Sequence, residues 1–456
     1  MNDDMAVSGQ QGALSTTIAA QTDAAGASVE WTERTGFWDI ITVFILIFFA
    51  SNPNVFLVTS GADAASSDSG TDSAGAGGVF YAIALMCYVL SGIGALFRLR
   101  GNIVPVLRAW PVWAMVTFAF LSSAWSVMPI YTLQRAIAFL GTTLPCLLLA
   151  TFPKQRQLNI VTIVGGIVLL LSLFLAAAVP SIAIMKYEDG LAVRGLYVHK
   201  NMLGWCGCMF CVFALGAYQA KSMPRVISGG VIILALVAMV LSKSSSGLVG
   251  AVLAFLLFGL ISTLRISGQM RPLLIAVLAL GLVALAIIVP FVVVQALESM
   301  GKTLTLSGRL PMWAALMPAI RDKLALGWGF GGAIWASPIG TMILNGRGVF
   351  YAGNAQGGHI ENLVDIGAVG CLIFYVPYFI AMFRMYSKSN RGDVFAETVL
   401  ANYWVMLFLG VTAPILLGVN QLPWILIALP YLEQAGLHSL RARMMNAPKS
   451  NRILRI

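Results

Sequence analysis

SGRLPMW (307–313), LGWGFGG (326–332) and GGHIENLVDIGAVG (357–370) punctuate the longest polar interval between apolar segments of this chain. The interval from Ser307 to Gly370 holds Arg309, Arg321, Lys323, Arg347, His359, Glu361 and Asp365, in a sequence only 10% charged. Its two flanks, by contrast, are long apolar runs. The chemistry of this protein is therefore expected in that interval, and the rest reads as scaffolding that holds it at one face of a bilayer.

Hydrophobic residues make up 59% of the 456, and the mean hydropathy is +0.86. A soluble domain sits nearer half apolar and about a quarter charged. Apolar segments fall near 37–58, 79–97, 104–124, 130–151, 158–179, 201–220, 225–242, 246–264, 272–296, 362–383, 397–418 and 420–436. Most approach the roughly 20 residues needed to cross the hydrocarbon core as a helix, and they are continuous rather than alternating, which argues against a β-barrel. The expected fold is an all-α polytopic membrane protein of about 12 transmembrane helices, with a large helical extracytoplasmic loop between helices 9 and 10.

Charge sets the expected orientation. Arg98, Arg100 and Arg108 follow the second span, and Lys154 and Arg156 the fourth. Lys221 and Arg225 follow the sixth, Arg265 and Arg271 the eighth, and Arg384, Lys388 and Arg391 the tenth. Every even-numbered connection is basic, which places those loops and both termini in the cytoplasm. Residues 1–35, rich in Ala, Ser, Thr, Gly and Gln with no apolar core of a cleaved signal, are expected to be a disordered cytoplasmic tail. The membrane domain then runs over 36–436, with the large periplasmic loop at 297–361, and 437–456 forms a basic cytoplasmic tail. The net charge of +10 belongs to these membrane-flanking bases, so nucleic acid is not an expected partner.

Three odd-numbered connections break the pattern. Loop five carries Lys186, Arg194 and Lys200, loop seven Lys243, and loop nine Lys302, Arg309, Arg321, Lys323 and Arg347. Outward cations oppose the topology signal, so a use for them is expected. Arg135, in IYTLQRAIAFLG, sits about a turn and a half inside span four. A charge at the membrane centre costs roughly 2.5–3.5 kcal/mol on insertion scales. A place beside an anionic ligand is preferred to snorkelling. Cys206, Cys208 and Cys211 form C-x-C-x-x-C with no His or acid beside them in sequence. They read as packing rather than metal ligands.

Inside loop nine, a helix is expected from about Leu310 to Leu324. Leu310, Trp313, Leu316, Met317, Ile320 and Leu324 supply its apolar face, Pro311 its first turn and Ser307 its cap. Arg309 then stands at a helix N-terminus, where guanidinium and backbone N–H groups meet one anion. GWGFGG matches G-x-G-x-x-G but follows no strand, and GKT at 301–303 lacks the upstream glycine of a P-loop. Arg194, His199, Lys200 and Asn201 crowd the mouth of span six. With Arg309 and Arg135 they make a cationic pocket suited to a lipid-linked diphosphate. Diphosphate is a good leaving group, so charge stabilisation outweighs a general acid. The acceptor hydroxyl still requires a base. His359 is the first candidate, with Glu361 and Asp365 behind it or on sugar hydroxyls.

Six pieces carry a family resemblance: SVMPIYTLQRA (126–136), RGLYVHKNMLG (194–204), LSKSSSGLVG (241–250), SGRLPMW (307–313), LGWGFG (326–331) and DIGAVG (365–370). In this order the chain resembles the bacterial O-antigen ligase and polysaccharide polymerase superfamily, and within it exopolysaccharide polymerases of the succinoglycan type. The resemblance implies a multi-pass glycosyltransferase of the cell inner membrane, acting outside it on undecaprenyl-diphosphate-linked oligosaccharide. It implies metal-independent catalysis without a cofactor, with Arg194 and Arg309 on the diphosphate and Arg135 matching a further arginine. Flippase and chain-length regulator proteins are the partners that go with such a role. The family usually places His-Asn nine residues before the acidic residue taken here by Asp365. Gln356 stands at that position, and His359 lies three residues later. The alternatives are a ligase that moves finished glycan to lipid A-core and, from another class, a transporter of lipid-linked sugar.

Overall fold

A computed structural model describes residues 36–51, 77–99, 104–187, 190–265, 309–345 and 353–434. The expected tails at 1–35 and 437–456, the span at 272–296, Ser307, Lys302 and Arg347 lie outside the described residues. The chain divides into two compact units, Met1–Ile41 and Thr42–Ile456. Of the first, the described part is Gly36 and the opening of α1 (Phe37–Ser51). All that follows concerns the second.

In chain order come α2 (Gly77–Leu99), α3 (Val104–Leu107), α4 (Trp110–Leu121), α5 (Pro129–Ala150), α6 (Lys154–Ala178) and α7 (Pro180–Ala183). A hairpin of β1 (Ile184–Tyr187) and β2 (Gly190–Val193) follows. Then come α8 (Lys200–Ala220), α9 (Arg225–Leu241), α10 (Ser245–Arg265), α11 (Arg309–Asp322), α12 (Pro338–Asn345), α13 (Gly358–Ser389), α14 (Val394–Thr412) and α15 (Leu422–Gln434). Among the described residues six helices (α2, α5, α6, α8, α13 and α14) are long and apolar enough to cross a membrane, and α1, α4, α9, α10 and α15 are shorter apolar helices. Each expected span that the described residues reach contains a helix, but residues 413–418, expected in the eleventh span, are non-helical, and the third is interrupted between α3 and α4. The all-α expectation is corrected at loop five, where β1 and β2 pair antiparallel with Ile184 opposite Val193. Segments of four residues are too short to announce themselves by alternation.

The helix α8 is the hub. It packs on α6, α9, α10 and α14, and its residues from Met202 to Ala214 are buried without a break. A helix apolar all round belongs in such a core position. Gly216 makes one of these approaches possible: a β-carbon added there would lie 2.0 Å from Thr398 Oγ1 on α14. The sulfurs of Cys206, Cys208 and Cys211 are free thiols buried in this core.

The polar contacts fix which helix ends lie together. Lys154 at the start of α6 pairs with Asp393 at 2.6 Å, and Asp393 caps α14 through the Ala396 N–H. At that same end Arg98 Nε donates to Thr151 Oγ1 and stacks over the Phe152 ring. The opposite end carries the hairpin, the starts of α5, α8, α10 and α13, and the end of α14. It also carries every described residue expected in the site.

Residues 413–421 leave this loop end as non-helical chain and descend into the bundle. Asn420 reaches Thr142, donating its N–H to Thr142 Oγ1 at 2.9 Å and accepting from Tyr88 O–H. Thr142 is thirteen residues into α5, roughly 20 Å from its start. Backbone at that depth survives only when protein surrounds it, and Ile415, Leu416 and Asn420 are buried.

A loop wedged into a broken helix

The expected helix in loop nine is α11, but its buried face differs from the expected one. Met312, Ala315, Leu316, Ala319 and Ile320 face the core, while Leu310 and Leu324 are exposed. The contact side is shifted because alanines give a closer seat than leucines, and because Trp313 Nε1 donates to the Ala355 carbonyl at 2.8 Å.

Helix α13 is two helices joined at a kink. Gly367 breaks it with φ 60° and ψ −169°. A break strands carbonyls before it and N–H groups after it. The segment 324–329 satisfies both sides. Trp328 N–H donates to the Val364 carbonyl at 2.9 Å and Gly329 N–H to the Asp365 carbonyl at 3.0 Å. In return Ala368 N–H donates to the Leu324 carbonyl at 2.7 Å and Val369 N–H to the Ala325 carbonyl at 3.0 Å. On its other side the same segment meets residues 122–127. Trp125 Nε1 donates to the Leu326 carbonyl, Val127 N–H to the Trp328 carbonyl, and Phe330 N–H to Ser122 Oγ. The Phe330 ring sits 4.8 Å from that of Phe139 on α5. The glycine-rich stretch is a wedge driven between α4, α5 and α13.

Candidate functional site

The structure places Asp365, Glu361 and Arg135 in one group at the loop end and Arg194 and Lys200 in a second, with Arg309 at the start of α11. The first is built on the wedge. Asp365, the second-last residue before the break, is 7% exposed. Its Oδ2 accepts the Gly332 N–H at 2.8 Å. Glu361, one turn earlier, has both oxygens engaged: Oε1 accepts Trp335 Nε1–H at 2.7 Å and Oε2 accepts the Ala355 N–H at 2.5 Å. Arg135 comes from α5 and interacts electrostatically with Asp365. Its Nε donates to Tyr131 Oη at 3.0 Å, and its stem lies where a β-carbon on Gly331 would fall, 2.7 Å from Arg135 Cβ. Arg135 therefore faces protein and the wedge.

His359 belongs to this group in sequence but points elsewhere. Its Nε2 lies 2.9 Å from the Leu407 carbonyl, and a carbonyl only accepts, so Nε2 carries the proton. Nδ1 is then the acceptor, and Tyr375 O–H reaches it at 2.6 Å. Asn362 Nδ2 donates to the same phenol oxygen at 3.3 Å. The ring ties the first turn of α13 to α14 and is engaged at both nitrogens.

The second group surrounds the start of α8. His199 caps that helix, its Nδ1 accepting the Asn201 N–H at 3.2 Å. Ser244 caps α10 through the Gly247 N–H at 3.3 Å. The two starts touch: Trp205 Nε1 donates to Ser246 Oγ at 3.1 Å, and a β-carbon on Gly247 would lie 2.6 Å from the Gly204 carbonyl oxygen. Lys200 opens α8. Lys243, in the turn before Ser244, reaches the hairpin tip, its Nζ 3.7 Å from where a Gly190 β-carbon would stand. Arg194 follows β2 and is half-buried. Its Nε donates to the Ile182 carbonyl at 2.8 Å and Nη1 to the Val198 carbonyl at 3.2 Å. Burial pulls its pKa down from the ordinary value. Nη2 takes no part in these bonds. Loops five and seven, both cationic against expectation for their side, thus form one cationic surface over two adjacent helix N-termini.

Arg309 is the first residue of α11, the N-terminal place its sequence context predicts. Helix α11 packs on α12 and α13. Between α11 and α12 lies a groove of about 290 Å³ with Asp322 and Trp328 in its wall. Sequence reading missed Tyr375, Trp335, Gly332 and Lys243's link to the hairpin. Tyr375 lies in the apolar run CLIFYVPYF, where nothing distinguishes a hydroxyl with a partner from a packing ring.

These features define a multi-pass helical membrane protein whose polar machinery is confined to one end of the bundle. The O-antigen ligase family model matches it over residues 230–375, an interval that contains four of the six motif pieces. Over 375 residues the chain is 26% identical to the exopolysaccharide production protein ExoQ of Rhizobium meliloti (strain 1021), an alignment covering 78% of this chain and 80% of that protein. The resemblance read from the motifs therefore stands, over residues 230–375 for the family and over 78% of the chain for ExoQ.

Proposed function

We propose that this protein is a glycosyltransferase that joins undecaprenyl-diphosphate-linked oligosaccharide repeats into exopolysaccharide at the periplasmic face of the inner membrane. The observation that carries this reading is that Arg194, Lys200 and Lys243 flank the paired N-termini of α8 and α10. Helix N-termini and cations each favour a phosphate, and together they suit a diphosphate at headgroup depth. Arg309 on α11 and Arg135 on α5 are the further cations this reading assigns to the diphosphate. The carrier's polyprenyl tail would lie against the apolar helix faces. As the acceptor hydroxyl attacks the anomeric carbon, the carbon–oxygen bond to diphosphate breaks and the electron pair moves onto the phosphate oxygens. The cations stabilise that developing charge.

The similarity to an exopolysaccharide production protein over four-fifths of its length favours chain growth over transfer to lipid A-core. Flippase and chain-length regulator proteins would supply and limit such growth. The test is carbohydrate gel analysis of a deletion strain complemented with wild type or Arg309→Ala. A polymerase deletion leaves single repeats, and Arg309→Ala restores almost no polymer, a loss of about 3–4 kcal/mol in transition-state stabilisation. Long polymer retained on the carrier lipid would establish the ligase instead.

A further inference from the structure

Among the described residues, one oxygen of Asp365 has no donor within hydrogen-bond geometry, although the Gly331 backbone also lies near the carboxylate. Oδ2 holds the Gly332 N–H, but Oδ1 is buried and, among the described residues, no donor pairs with it. A buried carboxylate oxygen without a donor is costly, by about 1–3 kcal/mol or more. Buried polar groups left so are rare, and each calls for an explanation such as a catalytic role, a water or an ion. The surroundings narrow the partner. Glu361 is the nearest acid on the same helix and is filled by Trp335 and Ala355, so it offers no donor. Arg135 approaches from α5 and draws on the charge of Asp365. A neutral hydroxyl is the ligand that fits, since it donates one hydrogen bond and brings no charge.

The proton acceptor of the reaction is otherwise unassigned. His359 has its basic nitrogen covered by Tyr375 O–H and its other nitrogen held by Leu407. To act as base it would have to break the first of these bonds. Asp365 has to break none.

Resting on the polymerase reading above, we propose that Asp365 is the catalytic base, and that Oδ1 receives the attacking hydroxyl of the acceptor sugar. The acceptor O–H donates to Oδ1. As its oxygen bonds to the donor's anomeric carbon, the proton passes to Asp365 while the bond to diphosphate breaks. The leaving group carries away the electron pair. Arg135 stands beside the carboxylate and stabilises its charge until the proton arrives.

The test uses purified full-length protein in vesicles, with undecaprenyl-diphosphate-linked repeat units as probe. Asp365→Asn is the informative variant, because the amide oxygen still accepts the Gly332 N–H while the other position becomes a donor. Extension is expected to fall at least a hundredfold, within the range for loss of a general base, with donor binding unchanged within threefold. Extension at one-tenth of wild type or more overturns the assignment, as it would if only a water filled the place. Loss of donor binding alongside extension also overturns it, since Asp365 would then merely hold the wedge. Asp365→Ala with added formate is the second variant: return of extension with formate supports the base, and no return in protein that still binds donor overturns it. If wild type itself fails to lengthen the glycan, the polymerase reading falls, which is a separate result.

Discussion

Adding one methyl group at Gly327 tests whether the wedge and the broken helix hold each other. Gly327 has φ +71°, and a β-carbon there would lie 2.4 Å from the Asp365 carbonyl oxygen and 2.6 Å from Gly367 N. Both neighbours are backbone, so no side chain can swing aside. The left-handed conformation alone costs Ala about 1–2 kcal/mol. Displacing the segment also weakens the bonds donated by Trp328 and Gly329, at about 0.5–1.5 kcal/mol each. Together Gly327→Ala should cost about 3 kcal/mol, about a hundredfold in the balance of docked and undocked wedge. Hydrogen exchange at the Trp328, Gly329, Ala368 and Val369 amides reads this directly, and protection there should fall by that factor. Gly229→Ala and Gly230→Ala are the controls, because a β-carbon at either meets nothing within 4 Å. Unchanged protection at all four amides in Gly327→Ala would refute the account of mutual support.

Trp335→Phe removes the donor to a buried Glu361 oxygen and should lower stability by about 1–3 kcal/mol, seen as a lower thermal midpoint of the purified protein. Tyr375→Phe uncovers His359 Nδ1 and loses the Asn362 contact, with a cost of similar size in the same assay. Lys154→Ala breaks a pair that is 40% and 26% exposed, so it should change stability by only about 0–1 kcal/mol.

The membrane scaffold was legible because hydropathy is read one segment at a time. Spans such as 158–179 and 201–220 announce themselves without reference to the rest of the fold. The two cation groups were partly legible: Arg194, Lys200 and Lys243 stood out by breaking the charge pattern, though nothing in the sequence joined loop five to loop seven. The break at Gly367 was not legible. DIGAVG reads as ordinary apolar helix, since the bonds that make a break affordable come from residues forty positions earlier. The bonding of His359 was hidden for the same reason. Tyr375 lies beyond that break and Leu407 on another helix, and periodicity within α13 does not reveal either. The buried face of α11 was misjudged because size was taken as a guide to burial, whereas close helix contact rewarded Ala315 and Ala319.

The wedge also bears on how the molecule comes off the ribosome. Residues 122–128 emerge some two hundred positions before Trp328, so the notch between α4 and α5 has to wait, unfilled, while the intervening helices are threaded into the bilayer. When residues 324–330 arrive they must enter that notch before α13 can settle around Gly367. Assembly of this end is thus a late step that follows insertion of the early helices, and a chain halted before residue 369 would hold the membrane segments up to α10 yet lack the partner that closes over the wedge.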